Sequence, residues 1–122
     1  MPRDGEKAVD RRAVDFVRTD AVTCGRHEPI AAVRQRVDGS PYGFAFVISD
    51  GGVLLGRLRR PVLEGESDRR AEEVMEPGPS TVRPDTPAAE LHERLESRKL
   101  RTAVLSDPDG MLLGIVLASD LT

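Results

Sequence analysis

The residues best equipped for chemistry lie at the end of the chain, where Ser119 and Asp120 are adjacent. A carboxylate can accept two hydrogen bonds from neighbouring hydroxyls, and the serine beside it adds a further polar contact. Ser and Asp are also good helix-start residues whatever they bind, and taken alone the pair reads as a helix start. Lys99 and Arg101 could meet phosphates, with Thr86 assisting from a helix N-terminus. Each of these basic residues also reads as a solvated surface charge. The densest basic cluster is Arg57-Leu58-Arg59-Arg60, which suits phosphate or an acidic partner but reads first as a solvated helix start. His27 and His92 have no partner at metal-ligand spacing and read as surface residues. Cys24 reads as a small core residue, since nothing near it in sequence marks a base. No GxSxG, phosphate-loop or HExxH string is present, and the expectation is a protein that is not an enzyme.

The totals narrow the function classes further. The chain has 122 residues, which suits one compact domain or two small packed halves. Charged residues make up 32% but the formal net charge is only -3, so no overall field draws it to nucleic acid or an anionic membrane. Aromatic residues are 3% of the chain and Trp is absent, which argues against a base-stacking platform. The single cysteine cannot form an internal disulfide. No apolar run approaches the roughly 18 residues of a membrane span, and the first residues lack a signal-peptide core, so the cytoplasm is the expected location.

The elements that must position these residues come in two copies. A shift of 58 positions carries Pro29 onto Pro87 and holds without a gap to Leu63 on Leu121. Identical pairs include Ala45/Ala103, Gly52/Gly110, Leu54/Leu112, Leu55/Leu113 and Gly56/Gly114. In the second copy, Thr86 is placed to cap a helix with Pro87 at its first position, and Ala88, Leu91 and Leu95 form its apolar face. Thr102–Ser106 reads as a buried strand, 107–110 as a turn with Gly110 available for positive φ, and 111–116 as a return strand buried on both faces. Ala118 to Leu121 begins a last helix. The first copy repeats this order. Ala21 to Thr23 is extended, and Ile30, Val33 and Val37 make the helix face. Phe44–Ile48 is a strand, 49–52 a turn and 53–58 the return strand. Residues 1–8 read as a flexible N-terminus, with a short helix near 9–17, and 64–70 as a solvated linker between repeats at 9–63 and 71–122.

Three stretches of the second copy resemble the CBS-domain family: Val74-Met75-Glu76-Pro77 followed by Thr81-Val82, then 82–91, and 114–121. Their order and the duplication make the chain similar to a tandem CBS-domain pair, or Bateman module. The resemblance implies an α/β fold class: two tandem βαββα CBS-type repeats packed about a pseudo-twofold axis, often as a homodimer. It also implies clefts between the copies that can bind AMP, ATP or S-adenosylmethionine, with no cofactor required. The module stands nearly alone in this sequence, so the resemblance implies control of a partner protein in trans.

By the same resemblance, Asp120 would hold ribose hydroxyls and Ser119 would contact ribose or phosphate. Thr81, Val82 and Arg83 would line the cleft, Thr102 and Ala103 would begin the strand facing the base, and Arg101 would meet phosphate. Two departures matter. The family often has Thr or Ser three residues before the Asp, where this chain has Leu117, and the first copy has Pro61 and Val62 where the second has Ser119 and Asp120. Two readings follow: a regulatory module that senses an adenosine-containing ligand through the second copy, or a ligand-free dimerisation and protein-interaction module.

Overall fold

The computed structural model describes residues 11–65 and 68–121. The expected flexible N-terminus at 1–8 lies outside them, as do Glu66 and Ser67 of the expected linker. The chain divides into two compact units. One, here the first-copy unit, contains the described residues of 20–80 together with 109–112; the other, the second-copy unit, contains 11–19, 81–108 and 113–121.

The first-copy unit is built on a four-stranded sheet in the order β1 (Val22–Cys24), β2 (Phe44–Ile48), β3 (Leu54–Arg59), β4 (Glu76–Pro77). β1 runs parallel to β2, and the other two pairings are antiparallel. Helix α1 (Ile30–Asp38) places Ile30, Val33 and Val37 at helical spacing on one face. That face closes over Cys24, Ala45, Val47 and Leu58, which belong to the same core cluster. A short helix α2 (Arg60–Leu63) follows β3 directly and buries Leu63. Another, α3 (Ala71–Val74), adds Ala71 to the same core.

The second-copy unit repeats the plan. Helix α4 (Ala88–Ser97) buries Ala88, Leu91 and Leu95, the three positions its sequence spacing selects. They pack on Ala103, Leu105 and Val116 of β5 (Thr102–Ser106) and β6 (Leu112–Leu117), which pair with each other. Ala118–Asp120 is a single 3-10 turn, a shorter element than the expected last helix. The turn before β6 uses Gly110 at φ +87°, as its sequence position anticipates. Pro87 sits one place earlier than expected, at the N-cap of α4, and no side chain caps that helix. Thr86 therefore makes no cap, because a helix starting at Ala88 leaves it outside the capping position.

The duplication reaches further back than the shared apolar pattern. In the first-copy unit Arg70 bridges Pro29, and Ile30 N–H donates to Arg69 O at 2.9 Å. In the second-copy unit Arg12 bridges Pro87, and Ala88 N–H donates to Arg11 O at 2.9 Å. The short turn Ala13–Phe16 corresponds to α3, and its Asp15 accepts the Arg12 N–H at 2.8 Å just as Glu73 accepts the Arg70 N–H at 2.8 Å. The sequence carries this as one string written twice, Asp10-Arg11-Arg12-Ala13 and Asp68-Arg69-Arg70-Ala71. So each compact unit takes its lead-in segment from one sequence copy and its helix and main strands from the other. Repeats in sequence and units in space divide the chain differently. Arg69 and Arg70, expected in a solvated linker, are backbone partners of the first-copy core.

Candidate functional site

The residues that the family resemblance implies for ligand contact all fall in the second-copy unit. β6 ends at Leu117, and the chain turns at once into Ala118–Asp120. Ala118 N–H donates to Arg101 O at 2.8 Å, which pins the start of that turn beside the start of β5. Arg101, Thr102, Ser119 and Asp120 are thereby brought to one end of the sheet. Ala103 is buried in the core. Thr81, Val82 and Arg83 enter differently. Val82 N–H donates to Val104 O at 2.7 Å and Val82 O accepts Ser106 N–H at 3.2 Å, so this segment runs parallel to the middle of β5. Thr81 and Arg83 are exposed on either side of it.

Asp120 has a protein partner that sequence reasoning missed. Arg18 bridges Ile115 of β6 in antiparallel sense, with backbone bonds of 2.7 and 3.0 Å in the two directions. From that edge its side chain reaches the turn: Nε donates to Oδ2 at 2.7 Å and Nη2 to Oδ1 at 3.0 Å. This bidentate fork holds the Asp120 carboxyl below the usual carboxylate range. Asp120 keeps 28% of its side chain exposed. A carboxylate offers about four lone-pair sites, so with two taken by Arg18 two acceptor sites remain.

Gly114 explains why Arg18 can reach so close. Its φ is +147°, and a Cβ there would overlap the Arg18 carbonyl oxygen and lie 2.8 Å from a Val17 methyl. Gly56, its equivalent in the first copy, faces Met75 and the Glu76 carbonyl in the same way. Gly56 and Gly114 thus mark where each lead-in segment crosses a β-strand.

The equivalent position in the first-copy unit has a different chemistry. Glu76 stands where Arg18 stands, Arg57 and Arg59 replace Ile115 and Leu117, and Pro61-Val62 replaces Ser119-Asp120. Glu76 Oε1 lies 2.8 Å from Arg59 Nε and 3.8 Å from Arg57 Nε. The expectation of a solvated helix start at 57–60 is corrected for Arg59, which belongs to β3; Arg57 falls in the return strand expected at 53–58, and only Arg60 starts a helix. The continuous apolar return strand draws that basic run into the sheet.

Lys99 sits at φ +56°, just past the end of α4, with its N–H donating to Glu96 O and Leu100 N–H to Leu95 O. Those two bonds form a Schellman-type helix stop, a backbone role for a residue considered for phosphate. Cys24 is 3% exposed in the core, and burial pushes its thiol up to about 11. Among the described residues no group of three or more His, Cys, Asp or Glu could hold a metal ion, and no helix is long and apolar enough to cross a membrane.

Residues 71–122 match the model of the CBS domain family. No curated protein matches the chain. Among solved structures, the chain is similar to the cytosolic domain of the Mg2+ channel MgtE in complex with ATP, at 20% identity and a TM-score of 0.81 over 95% of this chain and 49% of that one. It is similar to the CBS domains of a transcriptional regulator from Streptococcus pneumoniae, at 16% identity and a TM-score of 0.79 over 91% and 96% of the two chains. It is also similar to CBSX2 in complex with AMP, at 18% identity and a TM-score of 0.75 over 90% and 92%. The chain spans about half the length of the first of these. At such identities the likeness is one of fold.

Proposed function

We propose that this protein is a regulatory module sensing an adenosine-containing ligand, a reading supported by the match of residues 71–122 to the CBS-domain family model and by the likeness of the chain's fold to that of CBS-domain structures. The observation that carries the reading is Asp120: a partly exposed carboxylate, fixed in orientation by the Arg18 fork, with two acceptor sites left for a pair of ribose hydroxyls. In this reading Ser119 and Arg101 meet ribose or phosphate, and Thr81 and Arg83, exposed on either side of Val82, supply side-chain groups to the cleft. Two structures of the same fold are complexes with ATP and AMP, and those two nucleotides head the ligands to be tried here, with S-adenosylmethionine. Regulation then works by population shift. A ligand that binds one arrangement of the module better favours it, and a partner protein in trans reads the change, with the module acting as a homodimer.

Isothermal titration of adenosine, AMP, ATP and S-adenosylmethionine into the wild type and Asp120→Ala tests the ribose role. Heat from at least one ligand, weakened about 10- to 100-fold by the substitution, is expected from losing two charge-assisted hydrogen bonds. Equal heats from both proteins would remove Asp120 from the site.

A second reading has its own observation. Arg18 already pairs with Asp120 through two hydrogen bonds, and the first-copy equivalents are Pro61 and Val62, so the chain also suits a ligand-free dimerisation and interaction module. That reading expects no change in melting temperature with any adenosine ligand, whereas a ligand bound only to the native state must raise it.

A further inference from the structure

In the first-copy unit, Arg57 and Arg59 alternate along β3 and so project from the same face of the sheet. Register places Arg57 opposite both Phe46 and Glu76, and Arg59 opposite Phe44. Two guanidinium groups share one carboxylate. Arg59 has the close contact with Glu76, and Arg57 stands 3.8 Å from it, beyond hydrogen-bond reach. Arg60 does not share the problem, because Asp38 meets it at 2.8 Å. The Arg57 side chain is only 23% exposed, and its Nε is buried with no hydrogen-bond partner among the described residues. A buried, unmade charged donor is expensive, and a cation with a like charge beside it is doubly so.

A solvated surface would need none of this. The second copy shows the alternative, for the same two positions on the same kind of strand are Ile115 and Leu117. The first copy has exchanged an apolar pair for a cationic one and left the charge unbalanced. We propose that Arg57 and Arg59 form an oxyanion-binding site for a phosphoryl group, with Glu76 holding Arg59 in place until the anion arrives. A phosphoryl group brings several strong acceptor oxygens and roughly two negative charges at neutral pH, enough to bridge two planar guanidinium forks. A carboxylate would add one charge to a site that already holds one. The phosphoryl group could belong to a nucleotide or to a free polyphosphate, and the chemistry of recognition is shared. Arg57 and Arg59 belong to the first-copy unit and Asp120 to the second-copy unit, and their substitutions test the two proposals one at a time.

The test is isothermal titration of sodium tripolyphosphate into the full chain, with adenosine as the phosphate-free control. Wild type is expected to bind tripolyphosphate, Arg57→Gln and Arg59→Gln each to weaken it at least tenfold, and Glu76→Gln to tighten it by removing the competing charge. Asp120→Ala is expected to leave it unchanged. Competition by ATP assigns the phosphoryl group to a nucleotide; failure of ATP to compete assigns it to a free oxyanion, and the site stands in either case. No binding by wild type, or equal binding by wild type and Arg59→Gln, whose side chain is 57% exposed and whose loss the fold tolerates, overturns the proposal. A loss of adenosine binding with tripolyphosphate binding intact would instead count only against the ribose role of Asp120.

Discussion

Arg18 and Asp120, 102 positions apart in sequence, meet through two parallel hydrogen bonds of 2.7 and 3.0 Å. The pairing depends on Arg18 taking the edge place beside Ile115, from which its side chain reaches the turn after β6. The carboxylate proposed for the ribose is thus already oriented by the chain. Arg18 acts as a positioning residue rather than a ligand contact, and Arg18→Ala is expected to weaken adenosine binding by about tenfold, less than Asp120→Ala does. The readout that separates positioning from mere stability is the Asp120 carboxyl itself. Its titration midpoint in the wild type lies below the usual carboxylate range and returns upward in Arg18→Ala, measured by carboxyl-carbon NMR. The sign follows: a depressed folded-state pKa contributes stability above the ordinary carboxylate range, and that contribution is lost as pH falls through the folded value. An unmoved midpoint in Arg18→Ala would show that the fork does not govern this group.

The two shared glycines give an asymmetric pair of outcomes. Gly114→Ala must strain a backbone at φ +147° and push a Cβ into the Arg18 carbonyl, which cannot step aside without breaking the Ile115 bridge. Its expected cost is about 2–4 kcal/mol. Gly56→Ala meets mainly the Met75 side chain, a flexible neighbour, with the Glu76 carbonyl at 2.9 Å behind it. It should cost less. Urea unfolding of the two variants checks the order, and a Gly56→Ala that is the more damaging would contradict the crossing geometry.

Much of this fold was legible because it rests on apolar spacing. Leu91 and Leu95, Val33 and Val37, and the strands at 44–48 and 102–106 were all readable as a repeated core, and the buried set agrees. The lead-in segments were not legible by that signal. They are short and highly charged, with one small buried residue each, Ala13 and Ala71, so they carry no apolar period. The signal that could have found them is the repeated Asp-Arg-Arg-Ala string. Arg18 was invisible for a related reason: its partner lies across the chain, and only the crossing beside Gly114 brings them together. Arg59 was misread because a basic run looks like a solvated helix start, whereas the Leu54–Arg59 strand outlasts its apolar half.

Cys24 gives a prediction from burial. Its thiol is pushed up to about 11, first by burial and then by the nearby Glu28 carboxylate, with Arg36 acting weakly in the opposite sense. A neutral thiol is therefore favoured in the folded state. Its contribution to stability is intact below the ordinary thiol range near 9.0, and is lost as pH rises toward 11 because the unfolded chain ionises first. The folded protein should react with an aromatic disulfide reagent at neutral pH only at the rate of unfolding, and quickly in urea. Fast native labelling would show that the site opens without unfolding.

Lys99 offers the last test, and it separates a backbone role from a ligand role. Position 99 follows the helix end in the left-handed region, with the Glu96 and Leu95 carbonyls accepting the N–H groups of Lys99 and Leu100 at 3.1 and 2.9 Å. Glycine occupies this geometry without the Cβ clash that lysine bears, at the cost of a more flexible unfolded chain. The two effects together leave Lys99→Gly more stable by about 0.5–1 kcal/mol. Because Lys99 is placed by the helix stop rather than by a ligand, the same variant should bind adenosine nucleotides as the wild type does. Thermal unfolding and titration with ATP measure both quantities on one sample. A variant that gains stability but loses ATP binding would return Lys99 to the phosphate contacts, and one that loses stability would mean that the lysine side chain, not its backbone angle, decides this helix end.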